Sequence, residues 1–173
     1  MADETTEQSN GNGTKTEEEK KVSARVVAQF VRDLSFECPN VESLIKGPGE
    51  NPNLNVEVNV NAKRSENELY ESSIEFKANA TSKAGVIYEL EIVYGGMFHI
   101  QNMPDKSLEP FLLVNAPAIL FPFLRRIVAD LTREGGFPPL FLDPIDFAGL
   151  YVQRKKRAAA SGEQEKSDPK AIN

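Results

Sequence analysis

The sequence is poor in the residues that carry most enzyme chemistry. Its 173 residues include one cysteine, Cys38, one histidine, His99, and no tryptophan. A single cysteine cannot close an internal disulfide, so nothing indicates an oxidising compartment. One Cys and one His also provide no ligand spacing for zinc, and neither stands in a pattern typical of a nucleophile with its base. We therefore expect a protein that is not an enzyme and that needs no metal and no cofactor.

Positive charge and long apolar runs are also scarce. Lys and Arg number 20 against 26 Asp and Glu, which gives a net charge of −6. Nucleic-acid binding requires Lys and Arg to neutralise phosphates, so this balance argues against nucleic acid and is compatible with a basic protein partner. No run approaches the roughly 18 apolar residues of a membrane span, and the N-terminus lacks the apolar core of a secretory signal. We expect a cytoplasmic protein that does not insert into the membrane.

Both ends of the chain differ in composition from the middle. Residues 1–21 are rich in Glu, Thr, Asn, Gly and Lys, and residues 158–173 are similarly polar. Such segments cannot bury enough apolar surface to fold, so we expect two disordered tails. Residues 22–157 then form one domain, which is long enough to build a hydrophobic core.

The first half of this domain alternates as antiparallel strands do. Residues 22–37 are rich in β-branched residues and predict a strand, although their first part also fits a helix. Residues 53–63, 70–83 and 86–100 alternate between apolar and polar residues. The pattern predicts an antiparallel meander with one buried face, with a hairpin turn at 65–67.

Two features interrupt the strands. Residues 38–53 contain two Gly and three Pro, which predicts a long crossover loop of the kind that often carries function. The pair Gly95-Gly96 lies inside the last alternating run. Glycine within a strand predicts a bulge or a bend.

The second half changes to a helical period. A short amphipathic piece from Ser107 ends near Asn115, and Pro117 suits the first turn of a longer helix. Pro122 predicts a kink or a broken first turn. The apolar stripe of this helix consists of Leu120, Phe123, Leu124, Ile127, Val128 and Leu131. Ile119 and Phe121 add apolar surface beside the stripe, so we expect the helix to pack on its own sheet and on another subunit, unless the stripe is buried within one protomer.

A glycine and proline cluster separates this helix from a final one. Gly135-Gly136 predict its end, and Pro138-Pro139 prevent its continuation. After an extended apolar linker, Asp143 or Asp146 is the expected N-cap of the last helix. The basic residues 154–157 close that helix, where they would suit its dipole.

The segment "ILFPFLRRIVADLTREGGFPPLFLDPIDFAGLY" resembles SecB, the chaperone of bacterial protein export. The stretches "DLSFECPN" and "YGGMF" match the same family, and the resemblance covers roughly residues 24–153. It implies an α+β protomer with a four-stranded antiparallel sheet and two helices packed on one face. The family assembles as a dimer of dimers, with the long helices between the dimers.

The resemblance also implies a function. SecB binds unfolded precursor proteins without ATP, keeps them competent for export and delivers them to the translocation ATPase SecA. The substrate groove carried over to this chain consists of Leu54, Val56, Val58, Tyr88, Leu90, Ile92, Tyr94 and Tyr151. The expected SecA-binding acids are Asp33, Glu37 and Glu91, and Glu89 stands where relatives can carry an apolar residue. The expected oligomer interface of the homotetramer consists of Leu120, Phe123, Leu124, Ile127 and Leu131.

Two other functions remain open at this point. An apolar groove could hold a lipid or another small hydrophobic ligand, and relatives with this scaffold serve toxin–antitoxin systems. The chain also departs from its relatives in lacking a Trp in the crossover loop, near Glu50. Lys155 occupies a position that can be apolar in them.

Overall fold

The protein folds as a four-stranded antiparallel sheet with helices on one face, in the strand order β1-β4-β3-β2. The computed structural model describes residues 21–44, 47 and 49–164. The strands are β1 (Ser23–Glu37), β2 (Asn53–Arg64), β3 (Leu69–Ser82) and β4 (Gly85–Gln101). The predicted α+β class and the predicted strands are therefore confirmed. The helical alternative for the start of β1 is wrong, because the whole segment pairs with β4.

The connections between the strands are short, apart from the crossover. A tight turn joins β2 to β3, with the Ser65 N–H donating to the Leu69 carbonyl at 2.8 Å. The crossover loop contains one helical turn, α1 (Val41–Leu44), whose Leu44 is buried. The Asn40 side-chain amide donates to the Val86 carbonyl at 3.0 Å and fixes the start of this loop against β4.

The helical layer starts with one long run, Asp105–Glu134. It comprises α2 (Asp105–Pro110), a π-helical turn (Phe111–Asn115) and α3 (Ala116–Glu134). The expected break near Asn115 is a π turn within the run, and the helix continues through Pro122 without the broken turn that proline predicts. By length and composition this run could cross a membrane. In this fold Leu120, Leu124 and Val128 are buried against the sheet.

The final helix, α4 (Phe147–Gln164), returns to the edge of the sheet. Asp146 is its N-cap, since its carboxylate accepts a hydrogen bond from the Gly149 N–H at 2.9 Å. The linker before it is held by the buried Thr132, whose hydroxyl accepts a hydrogen bond from the Leu140 N–H at 2.9 Å. The helix extends beyond Arg157 to Gln164, so the expectation of a disordered tail from residue 158 is wrong for its first seven residues. Residues 1–20 and 165–173 of the two predicted tails lie outside the described residues.

The glycine pair of β4 has a different role from the predicted one. The strand continues through Gly95 and Gly96. The register shifts of the β1–β4 pair lie in β1 instead, between Val26 and Ala28 and between Val31 and Asp33. A Cβ at Gly95 would lie 2.9 Å from the Phe30 ring, and a Cβ at Gly96 would lie 2.6 Å from Leu120 Cδ2. The glycines therefore allow a ring on one face and a helix on the other to approach the strand closely.

The core lies between α3 and the two central strands. Its fully buried side chains are Ile74 and Phe76 of β3, Leu90, Ile92 and Phe98 of β4, and Leu120, Leu124 and Val128 of α3. The helix-facing sides of β1 and β2 are less covered, because these strands form the two edges of the sheet. Exposed apolar residues consequently remain along both edges.

The contact between α3 and Gly96 can be tested by a double-mutant cycle. Gly96→Ala should lower the free energy of unfolding by about 1–3 kcal/mol, because the new methyl group would overlap Leu120. In a Leu120→Ala background the same change should cost much less, since the obstructing side chain is gone. Urea unfolding of the four proteins measures both effects. Additive effects of the two substitutions would contradict this account.

Candidate functional site

An open groove lies between the edge strand β2 and helix α4. One part of it, of about 350 Å³, is lined by Val56, Val58, Ile145 and Leu150. A second part, of about 360 Å³, shares Val58 and Leu150 and continues past Tyr151. We call this continuous feature the edge groove. It presents apolar side chains to solvent along one edge of the sheet.

Helix α4 is held over this edge by a few specific contacts. The Arg154 guanidinium donates to the Val60 carbonyl of β2 at 2.8 Å. Lys155 lies 3.5 Å from the Glu109 carboxylate and places its ammonium group 4.7 Å from the centre of the Tyr151 ring. At the start of the helix, Phe147 is buried and packs edge-on against Phe121. The helix is therefore anchored at its first turn and bonded to the backbone of β2 two turns later.

The predicted groove residues divide into two groups. Leu54 and Val56 are 42% and 40% exposed, and Val58 and Tyr151 are partly buried at the edge groove. The other four are core residues: Tyr88, Leu90, Ile92 and Tyr94. They lie on the central strand β4, under the helical layer, so the expectation that they line an accessible groove is corrected. Sequence alternation shows which face of a strand is apolar, but it does not show which strand is central.

The two buried tyrosines bind neighbours within the core. Tyr88 packs between the rings of Phe36 and Phe137, with centroid distances of 5.8 and 5.4 Å, and burial raises the pKa of its hydroxyl. The Tyr94 hydroxyl donates to Gln29 at 3.1 Å. Both rings therefore hold β1 and the helical layer to the sheet.

The opposite face of the sheet is acidic. Strand register places Ser35 opposite Glu91 and Glu37 opposite Glu89, so the predicted acids of β1 and β4 adjoin one another. Glu57 and Glu75, which the sequence analysis did not single out, lie on the same face through their pairing in β2 and β3. We call the surface formed by Asp33, Glu37, Glu57, Glu75, Glu89 and Glu91 the acidic face.

Lys77 stands within the acidic face, opposite Glu91. Its ammonium group lies 3.0 Å from the Glu91 carboxylate. The pKa of Lys77 is raised by its hydrogen bond to Glu91 and by the negative charge of Glu91. The charges of Glu75 and Glu57 raise it further. Glu89 accepts a hydrogen bond from the neutral Asn79 amide at 2.8 Å instead. Glu89 is therefore bonded to a neutral amide, whereas Glu91 is paired with a cation.

A third surface is apolar and lies at the β1 edge. Val26, Val31 and Leu34 share the helix-facing side of β1 with buried residues of β4, yet all three are exposed. On α3, Ile119 and Phe123 are 41% and 43% exposed, and the Phe123 ring stacks on Tyr94 at 6.5 Å. We call these five residues the apolar patch.

The structure divides the predicted oligomer interface. Leu120 and Leu124 are fully buried in the protomer, which corrects their assignment to an interface between subunits. Phe123 is exposed, and Ile127 and Leu131 are partly buried. The stripe predicted from the sequence is thus the side of α3 that packs on its own sheet, and Phe123 lies at its margin.

The described residues offer little for catalysis. Among them, no three His, Cys, Asp or Glu side chains are placed to hold a metal ion together. Burial raises the pKa of the Cys38 thiol, which disfavours the reactive thiolate.

Comparison with known proteins shows the family of this chain. Residues 17–158 match the family described as "Preprotein translocase subunit SecB". The chain belongs to the SecB family. Protein-export protein SecB of Bradyrhizobium diazoefficiens is 41% identical over 155 residues, which are 90% of this chain and 96% of that protein. That of Caulobacter sp. strain K31 is 44% identical over 134 residues, 78% of this chain and 82% of that protein.

A solved structure has the same fold. It is the SecB-like chaperone of Mycobacterium tuberculosis in complex with a ChAD peptide from the HigA1 antitoxin. The TM-score is 0.59 at 13% sequence identity, with 70% of this chain and 90% of that chain covered. The edge groove, the acidic face and the apolar patch all lie within the part that matches SecB. The protein is a chaperone of the protein-export type, as its motifs predict.

Proposed function

We propose that the protein is an ATP-independent cytoplasmic holdase that binds unfolded precursor proteins and delivers them to SecA. The observation that carries this proposal is the edge groove. Val56, Val58 and Leu150 line an open channel beside a solvent-exposed strand in a chain of the SecB family. An unfolded precursor exposes scattered apolar side chains that this channel can cover.

The physical chemistry of such binding matches the task. Covering apolar surface contributes about 25 cal/mol per Å², whatever the order of residues in the client. A groove of this size contacts only a few client side chains, so one site binds weakly. Several copies on one assembly act on the same long chain and multiply the affinity. Binding that favours the unfolded state opposes folding without consuming a nucleotide.

Delivery to SecA would use the acidic face. Its carboxylates suit a small basic partner segment, and Asp33, Glu37 and Glu91 remain the proposed contacts. Glu89 adjoins Glu37 across the β1–β4 pair and is exposed, which supports its inclusion. Opposite charges speed the encounter and make the complex sensitive to salt.

A dimer of dimers would bury the apolar patch. Exposed apolar surface of this kind, at a sheet edge and beside a long helix, is typical of a subunit interface. In such an assembly Ile119 and Phe123 would lie in the contact, with the partly buried Ile127 and Leu131 near it. Leu120 and Leu124 are buried in the protomer core and would not take part.

The alternatives are less well supported. The edge groove is open along its length and polar at one end, which suits an extended polypeptide better than a small apolar ligand. The antitoxin-bound SecB-like chaperone shares the fold at 13% identity, whereas relatives at about 40% identity are export proteins. The same holdase chemistry could serve either partner, and the experiments below use an export precursor.

The first prediction concerns the groove. The double substitution Leu54→Gln with Val56→Gln should weaken binding of a denatured secreted precursor by about three- to tenfold, because less apolar surface is covered. Both side chains are already exposed, so stability should change little. Delay of precursor refolding, followed by fluorescence, measures the effect. Val27→Gln on the opposite edge is the control, and an equal loss of activity in it would contradict the assignment.

The second prediction concerns the acidic face. Neutralising Asp33, Glu37 and Glu91 together should weaken SecA binding, and Lys77→Met should strengthen it by about two- to fivefold, because the cation no longer compensates Glu91. Calorimetric titration at low and high salt measures both. Lys83→Met removes an exposed lysine that pairs with Glu50 elsewhere and should have no effect. Undiminished binding by the triple variant would rule out this site.

The third prediction concerns assembly. Phe123→Glu with Ile119→Glu should yield dimers or monomers that remain folded, because both side chains are exposed in the protomer. Leu124→Glu should instead unfold the chain, since Leu124 is fully buried. Sedimentation and circular dichroism distinguish the two outcomes. A folded tetramer of the double variant would show that the apolar patch is not the interface.

A further inference from the structure

The hydroxyl of Tyr151 is buried and has no hydrogen-bond partner. It is the only buried side-chain oxygen or nitrogen without one in the part of the chain that the structure describes. Two other buried hydroxyls are bonded: Ser72 donates to the Leu112 carbonyl at 2.8 Å, and Thr132 donates to the Val128 carbonyl at 3.0 Å. A buried polar group without a partner lowers stability, so one that persists needs an explanation.

The neighbouring Lys155 does not supply what the hydroxyl lacks. Its ammonium group lies 4.7 Å from the centre of the Tyr151 ring and 3.5 Å from the Glu109 carboxylate. The Tyr151 hydroxyl is the main cause of the raised pKa of Lys155, ahead of the charge of Glu109, but no hydrogen bond of ordinary geometry joins the two groups. An ammonium group can only donate, whereas a phenol both donates and accepts. The missing partner of the hydroxyl proton is therefore an acceptor.

The Tyr151 ring lies in the wall of the edge groove. It lines the second part of the groove together with Val58 and Val60. Phe147, one turn earlier on the same side of α4, is buried, and Arg154, one turn later, donates to the Val60 carbonyl at 2.8 Å. The helix is thus held on both sides of Tyr151, which fixes the ring beside β2.

Strand β2 offers main-chain groups along the same groove. The Ser65 N–H donates to the Leu69 carbonyl, and antiparallel pairing continues this alternation, so the odd-numbered residues of β2 bond to β3. The main-chain groups of Val58 and Val60 therefore point away from β3, which agrees with the bond from Arg154 to the Val60 carbonyl. An extended segment can pair with Val58, but the guanidinium occupies the place of the next pairing. Past this point the segment needs other hydrogen-bond donors.

A neighbouring side chain has to move before a ligand can bond to the hydroxyl, because solvent does not reach it. Lys155 is placed for this movement. Its side chain is 59% exposed and that of its partner Glu109 is 58% exposed, so their ion pair contributes little. Turning Lys155 away from the ring therefore costs little and uncovers this face of the ring.

We propose that the Tyr151 hydroxyl donates a hydrogen bond to a main-chain carbonyl of the bound client. This inference rests on the proposed function, since it assigns a polar contact to the same groove. Every residue of an unfolded chain carries such a carbonyl, so the contact does not depend on the sequence of the client. A donor in a site that excludes water also forms a stronger hydrogen bond than one in solution.

The first test removes the hydroxyl alone. The Tyr151→Phe substitution should weaken binding of a denatured secreted precursor to the full chain by about three- to tenfold, which corresponds to one hydrogen bond. The resistance of the variant to urea should stay the same or rise, because the oxygen that is removed has no partner in the protomer. A purely structural hydroxyl would give the reverse result, with lower stability and unchanged affinity.

Tyr70→Phe is the matched control. Tyr70 is buried on β3, has the Arg64 guanidinium 5.8 Å from its ring centre, and does not line the edge groove. The same loss of a hydroxyl there should leave the affinity for the precursor unchanged. Fluorescence titration with the precursor and urea unfolding are carried out on all three proteins.

A second test identifies the acceptor. A peptide with an apolar core and no Asp or Glu is compared with analogues in which one amide is replaced by an ester, whose carbonyl is a weaker acceptor. A further peptide adds Asp and Glu to the same core. One ester position should weaken binding to the unsubstituted protein and have little effect on binding to the Tyr151→Phe variant.

The outcomes are distinct. Equal affinity of the Tyr151→Phe variant and the unsubstituted protein for the precursor would overturn the inference, as would ester effects that are the same in both proteins. A dependence on Tyr151 that appears only with the acidic peptide would also overturn it, since the acceptor would then be a side-chain carboxylate. If the precursor fails to bind the unsubstituted protein, the proposed function itself is wrong.

Discussion

The structure depends on a mismatch of width between its two layers. One long helix packs on the two central strands through Leu120, Leu124 and Val128, and it approaches β4 closely because Gly96 has no side chain. Four strands are wider than one helix, so the edges β1 and β2 keep apolar residues that this contact does not cover. The edge groove and the apolar patch both exist because the helix leaves the edge strands partly uncovered.

The two edges are completed differently. At β2, α4 returns and leaves a channel, because it touches the strand through Arg154 and not through a continuous row of apolar residues. At β1, the described chain supplies no second helix, and Val26, Val31 and Leu34 remain exposed beside Ile119 and Phe123. The far side of the sheet carries the carboxylates of the acidic face, with Lys77 among them. One sheet thus separates three surfaces of different chemistry.

Sequence patterns were sufficient for the strands, the helical half and the family, because alternation and helical period are local properties of the chain. They could not show that β4 is central, and Tyr88, Leu90, Ile92 and Tyr94 were therefore placed in a groove when they belong to the core. The same limit applies to α3, where one stripe contains both buried Leu124 and exposed Phe123. Gly95 and Gly96 suggested a bulge, but the irregularities of the β1–β4 pair lie in β1, and the one between β3 and β4 lies at Ile87. Whether a strand is covered, and how closely a helix approaches it, depends on tertiary packing. The residue pattern of a single strand or helix does not show this.

The irregular pairing of β1 matters for a protein that binds unfolded chains with exposed apolar residues. An exposed edge strand in such a protein can pair with the bound chain, and further strands can then add to it and form fibrils. On β2, the Arg154 guanidinium donates a hydrogen bond to the Val60 carbonyl. Two register shifts interrupt the row of backbone groups along β1. The β1 border therefore lacks the long, regular ladder that amyloid growth requires. An irregular β1 disfavours the addition of further strands at that border of the sheet.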